Sequence, residues 1–295
     1  MGARAFAVLL TLAAAACGRT AAKPSSEKPI EKTPALITAR PYTMHAPATH
    51  GAAAPLVIVL HGFGDDHDGI DAALQATALG GAHGAYVALP DGTPNPRGTR
   101  FWNASDACCD FHGSGVDDVA YLDALIDDAV AHNPIDPSRV YVMGFSNGGF
   151  MAHRYACDRA ERVAGIVAFA GDPWKDATRC HPKVPVTVLQ VHGDADEIVR
   201  YQGGRAYDSR PFHTAEFARA GAFPAVKDGI AMWGNLDGCS SPSTTDDGRE
   251  EKVRYDGCAQ GAEVQLWTRH GTGHTIDLSR PELESIWQLL LAHRR

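Results

Sequence analysis

The stretch "VYVMGFSNGGFMAHRYA", from Val140 to Ala156, constrains this chain more than any other. Val140 to Met143 are apolar without a break and read as a buried strand. Phe150, Met151, Arg154 and Tyr155 then fall at helical spacing. The chain must therefore turn from strand to helix within a few residues, and Ser146 stands at the junction, between Gly144 and Gly148. A hydroxyl on so sharp a turn projects above the edge of a sheet. Its backbone is strained, side chains on either side would collide with neighbouring backbone, and the glycines remove them. The first N–H groups of the helix face the same point. A serine that merely caps a helix is the blander reading, and the buried strand directly before it argues against that.

The same alternation runs along the chain. "PLVIVLHG", "AYVALPDG", "RVYVMGFS", "AGIVAFAG", "VTVLQVHG" and "EVQLWTRHG" are apolar runs separated by helical patterns. Runs this apolar suit parallel strands covered on both faces. In "VDDVAYLDALIDDAVAHN", Val119, Leu122, Ile126 and Ala129 share one helical face, and Asp117 and Asp118 stand where the helix dipole favours acids. "PELESIWQLLLAHR" reads as a C-terminal helix opening on Pro281. The expected architecture is α/β: a doubly wound, mostly parallel sheet with helices on both faces, binding its ligand beyond the carboxyl ends of the strands.

The chain has 295 residues, 44% hydrophobic and 21% charged, with a net charge of −8. That profile suits one soluble domain, and the lack of a basic stripe excludes nucleic acid as a partner. Arg4 followed by "AFAVLLTLAAAAC" reads as a signal peptide over residues 1–17, too short for a membrane span. It ends on a lipobox-like "AAAC", which makes Cys17 a candidate lipid anchor, although Ala14 stands where Leu is usual. Residues 18–34, rich in Pro, Ser and Lys, read as a linker, and 35–295 as the folded domain. The expected location is extracellular or at the cell envelope, with membrane contact only through the anchor.

Setting Cys17 aside from the seven cysteines leaves Cys108, Cys109, Cys157, Cys180, Cys239 and Cys258, an even set that suggests disulfides in an oxidising compartment. Cys239 and Cys258 bracket a polar stretch that burial cannot hold, so a bond between them is expected. Adjacent cysteines bond each other only with a strained peptide, so Cys108 and Cys109 are expected to reach Cys157 and Cys180 separately. No C-x-x-C spacing points to a metal or redox site, and no cofactor is expected.

A serine hydroxyl needs a base, and the base needs an orienting carboxylate. On a strand–serine–helix turn within an α/β-hydrolase fold, the chain order is serine, acid, histidine. After Ser146, "VTVLQVHGDADEIV" resembles the H-G-x-x-D turn that carries the acid in many hydrolases, which assigns Asp196, with Asp194 as alternative. Four histidines follow: His213, His270, His274 and His293. His274, in a loop flanked by Gly271 and Gly273 after a strand, is best placed to turn back over the sheet. The N–H of Asn147, next after the serine, is one donor for a developing oxyanion.

The motifs "LHGFG", "GFSNGG", "HGDADEIV" and "GTGH" occur in this order, with "PDG", "FWNASDACCD" and "VDDVAYLDALI" between them. Together they resemble the secreted esterase family of polyhydroxybutyrate depolymerases and feruloyl or acetylxylan esterases, over roughly residues 40 to 292. The resemblance implies a serine ester hydrolase acting on hydroxyalkanoate, feruloyl or acetyl esters. It also implies that the Phe63 N–H, in His61-Gly62-Phe63-Gly64, is the second oxyanion donor and that His61 has a structural task. Trp102 is a candidate for the substrate cleft, with a core position as its alternative. Members of the family often carry Trp-Pro after the histidine, whereas Ile276 and Asp277 follow here. A monomer is expected. A peptidase of the same fold and a non-catalytic surface lipoprotein are the rival readings.

Overall fold

The computed structural model describes residues 1–2, 33–205 and 220–295. Cys17, His213 and nearly all of the expected signal peptide and linker lie outside the described residues. The chain then forms α1 (Thr33–Ala39), β1 (Tyr42–His45), β2 (Ala54–Leu60), α2 (His67–Leu74), α3 (Ala76–His83) and β3 (Tyr86–Pro90). A small ladder, β4 (Thr93–Pro94) with β5 (Arg100–Phe101), precedes α4 (Asp118–His132), β6 (Ile135–Phe145), α5 (Asn147–Arg159), β7 (Gly165–Phe169) and β8 (Thr187–Gly193). A second ladder joins β9 (Gly204–Arg205) to β10 (Ala222–Phe223). The chain ends with α6 (Val226–Leu236), β11 (Ser243–Asp246), β12 (Glu250–Tyr255), β13 (Val264–Arg269) and α7 (Arg280–Leu291).

Among the described residues, nine strands make one sheet in the order β1-β3-β2-β6-β7-β8-β13-β12-β11. Every pairing from β3 to β13 is parallel, and these central strands are the six apolar runs of the sequence. The outer pairings are antiparallel. The outer strands give no apolar signal: β11, "STTD", is exposed throughout.

Alternate residues of the central strands face opposite ways. Leu56, Ile58, Val142, Ile166 and Val188 join Leu122 and Leu125 of α4, Phe150 of α5 and Ile230 of α6 in one apolar layer. Val57, Val59, Met143, Val167 and Leu189 join Ile70 of α2, Leu79 of α3 and Ile286 and Trp287 of α7 in the other. Burying a Val, Leu or Ile side chain of this kind contributes about 1.5–3 kcal/mol. Local signals position the helices. The Asp117 carboxylate accepts from the Ala120 N–H at the start of α4. Ser279 and Glu282 form a capping box beside Pro281 at the start of α7. Asp118 stands in the first turn of α4, as expected, and is in addition buried, paired with Arg40 and an acceptor for the Asn103 N–H.

Three disulfides occur among the described residues. Cys239–Cys258 is as expected. The other pairing corrects the expectation: Cys157 joins Cys180, and Cys108 joins its neighbour Cys109 across a cis peptide. The reason is spatial. Cys157 near the end of α5 and Cys180 after a short 3-10 turn have Cα atoms 4.8 Å apart, so they satisfy each other and leave the adjacent pair together. Among the described residues, no helix is long and apolar enough to cross a membrane.

Candidate active site

β6 ends at Phe145 and α5 begins at Asn147, so Ser146 is the entire turn. Its φ of 52° and ψ of −117° lie where a side chain is strained. Two backbone bonds hold it there: the Ser146 N–H donates to Phe169 O, and the Phe150 N–H donates to Ser146 O. The glycines do what the sequence implies. A Cβ on Gly144 would stand 2.2 Å from Gly148 O, and one on Gly148 would stand 2.2 Å from Leu60 O. Only bare backbone lets β2, β6 and α5 approach this closely.

The base and acid come from the next loops along the sheet. His274 Nε2 is 2.9 Å from Ser146 Oγ, and His274 Nδ1 is 2.7 Å from Asp196 Oδ2. An ionised carboxylate only accepts, so Nδ1 carries the proton and the serine hydroxyl donates to the Nε2 lone pair. The Asp196 side chain is fully buried, and its Oδ1 accepts from the Ile198 and Val199 N–H groups. Burial alone would raise its pKa. The hydrogen bonds from His192 and His274 outweigh burial and hold the carboxyl well below its ordinary range. The two loops are sewn together, with the Ala195 N–H donating to Thr272 O.

Asp194 is engaged elsewhere: its Oδ2 lies 2.8 Å from His270 Nδ1 and its Oδ1 accepts from the Gly271 N–H. His293 faces Glu263. Of the described candidates, the structure therefore brings together Ser146, Asp196 and His274. Asn147 opens α5, where first-turn N–H groups have no acceptor within the helix. The His61–Gly64 loop lies alongside, since a Cβ on Gly62 would be 3.6 Å from Ser146 Cβ. His61 is buried, accepts the Gly92 N–H at Nε2 and so donates from Nδ1 to Gly62 O. Burial pushes its pKa down, as suits a neutral ring that shapes this loop.

Trp102 corrects an expectation. It is fully buried, so it does not line an open cleft. Its backbone exchanges two hydrogen bonds with the Asn147 side chain, and its indole N–H donates to His61 O. The residue thus links the elbow to the His61 loop. Ile276, where the resemblance leads one to expect tryptophan, packs on the second apolar layer.

Sequence reasoning missed a set of buried polar groups near the acid: His153, Asp172 and Gln190, with His192, which opens the H-G-x-x-D match without a role of its own there. The available signal was Gln190, a polar residue within the apolar run "VTVLQVHG".

A strained serine between a buried strand and its helix, with a histidine and a buried aspartate delivered by later loops on a doubly covered parallel sheet, is the arrangement of an α/β-hydrolase. The chain belongs to the phospholipase/carboxylesterase family, whose sequence profile matches residues 47–219. It is 29% identical over 231 residues to feruloyl esterase B of Piromyces equi, covering 77% of this chain and 40% of that one. It is 28% identical over 223 residues to poly(3-hydroxyalkanoate) depolymerase C of Paucimonas lemoignei, covering 75% and 49%. The chain thus spans less than half the length of either relative. Among solved structures, acetyl xylan esterase from Aspergillus awamori shares the fold, with a TM-score of 0.60 at 15% identity, over 84% of this chain and 93% of that one.

Proposed function

We propose that the chain is a serine ester hydrolase that works through an acyl-enzyme. The observation that carries this reading is the unbroken hydrogen-bond line from Ser146 through His274 to Asp196. Ser146 Oγ attacks the ester carbonyl carbon as its proton passes to His274 Nε2. Asp196 orients the ring and stabilises the imidazolium. The Asn147 and Phe63 N–H groups receive the oxyanion, and each such donor contributes about 2.7–4 kcal/mol of transition-state stabilisation. The imidazolium protonates the departing alcohol. The restored base then takes a proton from water as it attacks the acyl-enzyme, and the imidazolium returns a proton to Ser146 Oγ as the acid leaves.

The relatives' names support carboxylic esters as substrates, namely feruloyl and acetyl esters or hydroxyalkanoate oligomers. The disulfides support action in an oxidising compartment, outside the cell or at its envelope. A fluorophosphonate probe should label the protein, and Ser146→Ala should abolish both labelling and ester turnover. Turnover retained by Ser146→Ala would overturn the reading. Comparing p-nitrophenyl, feruloyl and hydroxybutyrate esters identifies the acyl group.

A further inference from the structure

The polar groups beneath Asp196 form a chain whose direction can be deduced. It starts at Trp233 on α6, whose indole N–H can only donate and lies 3.0 Å from His153 Nδ1. His153 therefore accepts at Nδ1 and, being neutral, carries its proton on Nε2, 3.2 Å from Gln190 Oε1. Complete burial lowers the His153 pKa to about 3, which agrees with a neutral ring. The Gln190 amide is thereby oriented. Its NH2 donates to Asp172 Oδ1 at 2.9 Å and faces His192 Nδ1 at 3.1 Å. His192 must then accept at Nδ1 and donate from Nε2, which lies 2.7 Å from Val199 O and 3.4 Å from Asp196 Oδ2.

His192 is under pull in both directions. Burial lowers its pKa, while Asp196 and Asp172 raise it, and the net direction is upward. The groups facing it are His153 from α5, Asp172 after β7, Asp196, and the Tyr201 ring at 6.0 Å. The neighbouring carboxylates thus favour a charged ring, but a second proton could be added only at Nδ1, where the Gln190 N–H already occupies the lone pair, so it is this hydrogen bond and not the balance of charges that keeps the ring neutral.

We propose that Gln190 is a positioning residue: its amide holds His192 as the neutral Nε2–H tautomer, so that Asp196 keeps its full charge for His274. This rests on the Ser146–His274–Asp196 reading. Without the amide, His192 takes a second proton beside Asp196. The added positive charge disfavours protonation of His274, weakening the base and the imidazolium of the transition state. Binding is untouched, because His192 reaches the site only through Asp196 and Val199.

The test is Gln190→Met in the full chain, read by pH–rate profiles and by 15N NMR of labelled histidine. The expected result is a kcat about tenfold lower with KM unchanged, and an acid limb about one pH unit lower. The His192 spectrum should show one protonated nitrogen in the wild type at pH 7 and two in the variant. Trp233→Phe keeps the ring and removes only the first donor, so it covers the case in which Gln190→Met does not fold. It should lower kcat in the same direction and alter the His192 spectrum. A doubly protonated His192 in the wild type, or wild-type kcat together with an unchanged spectrum in Trp233→Phe, overturns the proposal. If Ser146→Ala still abolishes turnover, only the proposal fails; retained turnover there removes the triad reading itself.

Discussion

Two aspartate–histidine pairs stand within a few residues of each other, and they separate chemistry from architecture. Asp194 meets His270, and Asp196 meets His274, at 2.8 and 2.7 Å. The difference lies at the far nitrogen. His270 Nε2 faces a third carboxylate, Asp246, whereas His274 Nε2 faces Ser146 Oγ. The first pair is partly exposed and ties the end of β8 to the loop after β13. In the second the acid is buried and its charge cannot be replaced by water. Asp196→Asn should therefore lower kcat about 10⁴-fold, since an amide no longer enforces the tautomer of His274. Asp194→Asn should stay within about tenfold of the wild type. Steady-state rates on one p-nitrophenyl ester decide this, and equal losses would place the acid elsewhere. The sequence could rank these two aspartates only by a motif likeness. What distinguishes them is the neighbour of each histidine, and loops brought together by folding do not announce that in a linear order.

The elements hold the site in place by close backbone contact. The β6–α5 elbow leaves no room for a Cβ at Gly148, because Leu60 O on the neighbouring strand is in the way. Gly148→Ala should therefore destabilise the protein by about 1–3 kcal/mol through overpacking. It should also lower kcat, because any shift that relieves the clash moves Ser146 away from His274. Denaturant midpoints and kcat together check this, and a variant unchanged in both would mean that the elbow yields to a Cβ at Gly148 without moving Ser146. This element was legible because strand, glycines and helix are contiguous. β11 and β12 were not legible, since an exposed antiparallel edge needs no apolar run. Its staple, Cys239–Cys258, was inferred from the polarity of the same segment. The pairing of Cys108 with Cys109 was not legible, because it depends on where α5 brings Cys157.

At the scale of the whole molecule, the doubly covered sheet followed directly from the six apolar runs, while the buried polar groups beneath it did not. Asp237, at the end of α6, is one of them. Burial raises its pKa to about 7, opposed by the Val186 N–H. A carboxyl with a folded-state pKa above its unfolded value adds stability at low pH and loses it as pH rises from about 4 to about 7. Asp237→Asn, neutral at every pH, should therefore gain stability over the wild type at pH 8 and much less at pH 5. Urea midpoints at the two pH values measure this, and a gain equal at both would mean that Asp237 does not titrate in that window. The two apolar layers have a different consequence. Among the described residues they form two separate clusters on opposite faces of the sheet, so a side chain trimmed in one has no partner in common with a side chain trimmed in the other. Free-energy changes from such a pair should sum, within about 0.3–0.5 kcal/mol, whereas those from pairs in contact on one face should not. The sheet makes this chain two nearly independent mutational ledgers with a shared spine, and sequence drift in the layer of α2, α3 and α7 can proceed without repair in the layer of α4, α5 and α6.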